Sequence, residues 1–308
     1  MIDMRQLVMF RQVVEAGSFS AAARAMRCTQ PAVSQQMKAL ERAVGGPLFA
    51  RVGRGLQLTE AGHALSRYAT DILNGVAVAQ QQVRAIATEM GTVRLCAFPS
   101  ANATLVPKAA ATLKKRHPHL RLELLEDEPP QSYQTLRRAR CDVVVAFTYE
   151  PGKIRPADVG MLEVPLLADP LVLLVPAGDP LGERESVALA ELADATWIAG
   201  CPRCRQQFLK VCQSGGFNPS IACATDDNMA LQGLVAAGLG LALVPALVLA
   251  FMRHPDLVAV PVEPVSRRRV SAYTWPDLAR TSAVAATLAA LREAARRLDA
   301  PAGTLALA

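Results

Sequence analysis

The sequence predicts an α/β protein: a small N-terminal winged helix-turn-helix, one long helix, and a two-lobed, doubly wound α/β domain. Three observations predict it. Residues 1–60 set helix-spaced apolar residues between capping and turn signals. Residues 65–86 carry an apolar heptad repeat. From residue 91 onward, strand-like and helix-like runs alternate. The expected boundaries are 1–60 for the head, 61–90 for the linking helix and 91–300 for the α/β domain. Its first lobe covers about 91–163 and 267–300, its second about 164–266.

The 308 residues leave room for more than one domain, and an apolar fraction of 51% supplies the cores. Net charge is +6, with an isoelectric point near 9.1. Residues 1–60 hold eight Arg/Lys against four Asp/Glu, so the basic excess per residue is concentrated where a polyanion would dock. The opening MIDMRQLVMFRQVVEAG carries charges and lacks the apolar stretch of an export signal. The longest uncharged apolar run, Met229–Met252, is broken by glycines and Pro245, so no membrane span is expected. Seven scattered cysteines, an odd number, fit a reducing cytoplasm better than a disulfide framework.

In the head, Leu7, Phe10, Val13 and Val14 form an apolar stripe at helical spacing that Gly17 stops. Ser18 or Ser20 caps a second helix over Ala21–Met26, whose alanines allow close helix approach. Thr29-Gln30-Pro31 then starts a third helix, a polar cap with proline in the first turn. That helix has two faces. Val33, Met37, Leu40 and Val44 point to a core. Pro31, Ser34, Gln35 and Lys38 point outward, and with Gln30 they suit the major groove of DNA. Glutamine can pair bidentately with adenine, serine can serve base or phosphate, and lysine neutralises phosphate. Leu48–Arg51 and Leu56–Thr59 read as two short strands around the turn Val52-Gly53-Arg54-Gly55, a wing with Arg51 and Arg54 near its tip.

Three stretches, GSFSAAARAMRCTQPAVSQQMKALE, GGPLFARVGRGLQLTEAG and the late AAGLGLALVPALV, make the chain resemble the LysR-type transcriptional regulators over essentially its whole length. The resemblance implies that Gln30, Pro31, Ser34 and Gln35 meet bases or nearby backbone. It implies that Ser20, Thr29, Lys38, Arg51 and Arg54 mainly hold phosphates. It also implies an α/β domain like those of periplasmic binding proteins, with an inducer in its cleft, and assembly beyond the dimer to tetramers. The family often has a basic residue where Gln35 or Gln36 stands, so binding here should depend less on salt and more on amide readout.

In the linking helix, Leu65, Ala69, Ile72, Val76, Ala79, Val83 and Ile86 recur at alternating steps of four and three, the pattern of a coiled-coil seam. A homodimer joined there would present two recognition helices to an inverted repeat of double-stranded DNA.

In the α/β domain, ligands are expected at strand ends next to helix starts. Ser100 and Asn102 stand where the first strand enters its helix, and Phe147 and Thr148 end a buried strand. Cys201, Cys204 and Arg205 open a second-lobe helix, and Asp226 lies at a strand-to-helix turn. These groups favour a small anionic effector, and the resemblance supports Ser100, Thr148 and Arg205 best. Glu128-Pro129-Pro130 departs from the small polar residues the family often carries there. Cys201-Pro-Arg-Cys204 sits at an expected helix start beside Arg203 and Arg205, which would lower a thiol pKa. A thiol- or metal-responsive regulator is therefore the alternative, and peroxide-sensing members of the family use cysteines in this region. His117 and His119 read as loop surface, and no metal or cofactor is expected. No phosphate loop, nucleophile elbow or zinc helix appears, so an enzyme is not expected. A pure solute-binding protein is the remote alternative.

Overall fold

A computed structural model describes residues 2–52, 55–88, 91–149 and 160–299. The chain forms two compact units, Met1–Glu89 with Arg137–Arg140, and Met90–Leu136 with Cys141–Ala308.

The first unit opens with α1 (Met4–Ala16). Asp3 caps it, its carboxylate accepting the Arg5 N–H at 2.8 Å while Gln6 accepts the Asp3 N–H at 3.3 Å. Gly17, at φ 68°, ends it in the left-handed region that favours glycine. Ser18, rather than Ser20, caps α2 (Phe19–Ala25). After a turn in which Arg27 takes φ 52°, Thr29 caps α3 (Gln30–Val44). Leu7, Phe10 and Val13 pack with Ala22, Ala23, Val33, Met37, Leu40 and Leu48 into one core. Val44, expected to join them, is exposed, because it is the last residue before Gly45 ends the helix. β1 (Phe49–Val52) and β2 (Gly55–Leu58) pair antiparallel as the wing.

The 29-residue α4 (Glu60–Thr88) follows. Thr59 locks its start, accepting the Gly62 N–H at 3.0 Å and donating to the Pro47 carbonyl at 2.7 Å. A Cβ on Gly62 would collide with the Leu48 carbonyl and the Leu58 side chain. Gly62→Ala is therefore expected to lower the stability of the first unit by about 1–3 kcal/mol, since overpacking against backbone cannot relax cheaply. Thermal unfolding monitored on that unit checks this.

The second unit runs β3 (Thr92–Ala97), α5 (Pro99–Ala103), α6 (Leu105–Arg116), β4 (Arg121–Glu126), α7 (Gln131–Arg137), β5 (Val143–Thr148) and β6 (Leu162–Pro176). It continues with β7 (Val187–Ala188), β8 (Thr196–Ala199), α8 (Pro202–Ser214), β9 (Ser220–Ala224), α9 (Asn228–Ala236), β10 (Ala242–Pro245) and α10 (Ala246–Leu249). It closes with β11 (Leu257–Glu263), β12 (Arg267–Thr274), α11 (Pro276–Ala279) and α12 (Ser282–Asp299).

β3 pairs in parallel with β4 and β5, and β12 returns antiparallel between β5 and the first part of β6. Past Pro170, β6 changes partners and carries β10 and β11 instead. This single strand is the spine joining the two lobes. The second lobe packs around Leu173, Val175, Trp197, Phe208 and Val260 on one side of it, and Leu174, Ile198, Leu231 and Val244 on the other. The alternation of Leu120, Leu122 and Leu124 puts them on one face; β4 is an edge strand, and Leu124 is exposed.

Candidate nucleic-acid interface and effector cleft

The outward side of α3 has the surface the sequence predicts. Gln30, Pro31, Gln35 and Lys38 are exposed and Ser34 is half-buried. They line one open concavity with Glu41, Arg42, Gly45, Gly46 and Pro47. The core residues beneath them fix the helix, so these side chains project from a rigid base. The Glu41 carboxylate, missed by sequence reasoning, accepts the backbone N–H groups of Leu48 at 2.9 Å and Phe49 at 3.4 Å. It thereby ties the wing to the recognition helix. In sequence it is one more polar residue on the outward side of the helix, so nothing local marks the tie. Gln36 turns toward α1, accepting from Gln6 at 3.5 Å, which leaves Gln35 as the outward amide. Ser20 and Thr29 are exposed beside this face. Arg54 and the side chain of Arg51 lie outside the described residues.

The heptad stripe divides in two. Leu65 and Ala69 pack into the core of their own chain, because the first turns of α4 close the winged domain. They are thus not part of a free seam. Ile72, Val76, Ala79 and Val83 are exposed, forming an apolar strip along α4. The side chain of Ile86 lies outside the described residues.

In the second unit, the expected strand-end residues meet around an arginine that sequence reasoning missed. Arg268 stands opposite Asp169 where β12 meets β6. Its Nε donates to the Asp169 carboxylate at 2.7 Å and its Nη2 to Ser100 Oγ at 2.8 Å. Both charges are almost wholly buried, at 3% and 2% exposure. The guanidinium stacks on Phe98 and Phe147, with ring centroids 4.8 and 4.6 Å away. The other Asp169 oxygen accepts the Leu247 N–H at the start of α10. Burial pushes the Asp169 carboxyl above the ordinary range, opposed by Arg268 and these hydrogen bonds. The pair therefore joins α5, the spine strand and α10. No periodicity reports it: in sequence, Arg268 is the middle of three arginines on a strand.

A second arginine enters from α8. Arg203 lies over Phe147 at 5.3 Å and donates to the Pro129 carbonyl at 3.0 Å. Its buried Nε has no hydrogen-bond partner among the described residues. Cys201 caps α8, its sulfur accepting the Cys204 N–H at 3.4 Å and approaching Glu128 at 3.7 Å. Tyr149 donates to the Cys204 sulfur at 3.9 Å.

Two predicted residues fall elsewhere. Arg205 is exposed, because two steps along α8 turn it away from the face that carries Arg203. Asp226 is exposed, and its neighbour Asp227 is the residue that caps α9. Asn102 is half-turned onto its own strand end, donating to the Ala97 carbonyl and to Glu126. Thr148 pairs with Arg269 across the ladder. Among the described residues no cluster of three or more His, Cys, Asp or Glu could hold a metal ion, and no helix is long and apolar enough to cross a membrane.

A winged helix-turn-helix with a free polar recognition face, followed by a long helix and a two-lobed α/β domain, defines a DNA-binding regulator with an effector domain. Residues 4–63 match the family described as bacterial regulatory helix-turn-helix protein, lysR family, and residues 87–296 match the LysR substrate binding domain. The chain belongs to the LysR family of transcriptional regulators. Among its relatives is a probable hydrogen peroxide-inducible genes activator of Streptomyces viridosporus, 30% identical over 306 residues, covering 96% of this chain and 95% of that one. The transcriptional regulator AlsR of Bacillus subtilis is 28% identical over 253 residues, covering 80% and 81%. Full-length CbnR complexed with its target DNA has the same fold, with a TM-score of 0.53, 25% identity, and coverage of 96% and 100%. These relatives are regulators rather than enzymes.

Proposed function

We propose that this chain is a cytoplasmic, effector-responsive regulator that binds an inverted-repeat operator as a dimer or a pair of dimers. In each copy α3 enters the major groove, with Gln30, Ser34 and Gln35 reading base edges and Ser20, Thr29, Lys38, Arg51 and Arg54 holding phosphates. The observation that carries the reading is the outward amide-and-hydroxyl face of α3 above a closed core. The exposed strip Ile72, Val76, Ala79 and Val83 supports dimerisation through α4. Replacing Ile72 and Val76 together with aspartate is expected to shift the protein toward monomer, each apolar side chain removed costing about 1.5–3 kcal/mol of association. Sedimentation velocity against concentration checks this; an unmoved dimer would place the seam elsewhere.

The effector in this reading is a small anion held between the lobes. Arg203, with its buried unpartnered Nε, is the best-supported contact, joined by Ser100, Phe147 and Thr148. A change in lobe arrangement on binding would alter half-site spacing and DNA bending. Titrating the protein with a panel of small carboxylates while following thermal stability and operator affinity tests this. Loss of every response in Arg203→Gln, with the fold intact, is the expected result.

The paired sulfurs of Cys201 and Cys204, beside a buried arginine, favour a second reading: a thiol-responsive regulator of the same family. A relative named for hydrogen peroxide induction supports it. Operator retention by the protein before and after mild oxidation tests it.

A further inference from the structure

The anion of the effector reading meets the second lobe at Arg203 and the start of α8, yet two consecutive residues of the first lobe already engage both. We propose that Glu128 is a tethered occupant of that anion subsite, so that an external carboxylate gains the site only by displacing it. This deepens the anion-effector reading and rests on it.

Glu128 belongs to an acidic run, Glu126-Asp127-Glu128, that leads from the end of β4 toward α7. Two of the three carboxylates are held inside the first lobe. Asn102 donates to Glu126 at 3.2 Å, and Thr135 donates to Asp127 at 3.3 Å. Asp127 also accepts the Glu128 N–H at 3.1 Å, and the Glu128 carbonyl accepts the Ser132 N–H at 3.0 Å. The backbone of Glu128 is thereby fixed to the first lobe, while its side chain crosses to the second. There its carboxylate accepts from the Cys201 thiol at 3.7 Å. Cys201 is the cap of the 13-residue α8, at the positive end of the helix dipole, where a carboxylate is favoured. The sequence departs at this segment from the small polar residues the family often carries, which hold no carboxylate, so the occupant is a property of this chain.

The next residue engages the arginine. The Pro129 carbonyl accepts from Arg203 Nη1 at 3.0 Å. That carbonyl takes one N–H of a guanidinium that can serve a carboxylate with two, and the buried Arg203 Nε is left without a hydrogen-bond partner among the described residues. The internal occupant therefore fills the subsite incompletely. A free carboxylate can meet two nitrogens of Arg203 at once, which lets it compete with a group already in place. Competition sets the threshold of the response: a subsite that its own side chain fills about nine-tenths of the time binds an external anion about tenfold more weakly. The Glu128–Cys201 and Arg203–Pro129 contacts both run from one lobe to the other, so displacing the occupant and releasing this tie are one event.

The test uses the full-length protein and sodium propionate, the glutamate side chain as a free molecule, against sodium chloride at equal ionic strength. Thermal unfolding is followed in wild type, Glu128→Ala, Glu126→Ala and the double variant Glu128→Ala with Arg203→Gln. Glu128→Ala is expected to gain a saturable rise in midpoint, half-complete at no more than about a tenth of the propionate concentration that wild type needs. Glu126→Ala removes an equal charge two residues away but not the crossing side chain, and should behave as wild type. The double variant should lose the response. No propionate response in Glu128→Ala, the same dependence in Glu128→Ala and wild type, an equal gain in Glu126→Ala, or a response that survives in the double variant would overturn the proposal. The panel of small carboxylates separates this outcome from the reading beneath it. A panel anion that binds wild type with an affinity unmoved by Glu128→Ala leaves the effector reading standing and removes Glu128 as the occupant. Propionate capture by Glu128→Ala, with no panel anion changing the operator affinity of wild type or variant, supports the occupant and removes the effector reading.

Discussion

Replacing Arg268 with methionine is expected to destabilise the second unit by about 3–5 kcal/mol, because it strands the Asp169 carboxylate in a site with 2% exposure. Methionine keeps much of the volume between Phe98 and Phe147, so the loss is chiefly electrostatic. Pairing it with Asp169→Asn should recover most of the stability, since asparagine removes the charge and keeps an acceptor for the Leu247 N–H. The pH dependence gives an independent check. In the single variant, Asp169 loses the partner that opposes its burial, so its folded pKa rises further above its unfolded one. The folded state then binds more protons than the unfolded state between those two values. The penalty should therefore shrink as pH falls through that window and return as pH rises through the folded pKa. Denaturant titrations of both variants across acid to neutral pH measure it; a single variant as stable as wild type would show that the pair is not a structural pin.

The second large effect concerns DNA. Ser34→Ala with Gln35→Ala is expected to weaken operator binding by about 1–3 kcal/mol for each base edge no longer read, with thermal stability unchanged. Both side chains face away from the core of Val33, Met37 and Leu40, so truncating them opens no cavity. Binding to random duplex should fall far less, because phosphate interactions supply it. Lys38→Ala should do the converse, weakening specific and random duplex alike and reducing the slope of log affinity against log salt by about one for each half-site occupied. Fluorescence anisotropy over a salt series separates the two.

The head was legible in sequence because its signals are local. Asp3, Ser18 and Thr29 cap helices within a few residues, Gly17 and Gly45 take left-handed backbone, and the two faces of α3 follow from a period of 3.6. The heptad was legible as a stripe, but periodicity does not say what covers it. Leu65 and Ala69 are buried by their own chain because α4 closes the winged domain before leaving it. The cleft was the least legible part. Ser100 and Phe147 were placed by strand ends, whereas Arg268 reaches Ser100 across 168 positions of sequence and Glu128 meets Cys201 across 73. The choice between Arg203 and Arg205 turned on two helix steps, which set opposite directions and which residue type alone does not decide.

Whether the free face of α3 reads the major groove as one of a symmetric pair is tested most directly by purine-methylation interference on a promoter fragment retained by the full-length protein. Interference is expected at guanine N7, a major-groove atom, in two segments related by a dyad and centred about 10–10.5 bp or a multiple of that apart. Interference confined to adenine N3 in the minor groove, or to a single segment with no dyad mate, would contradict it.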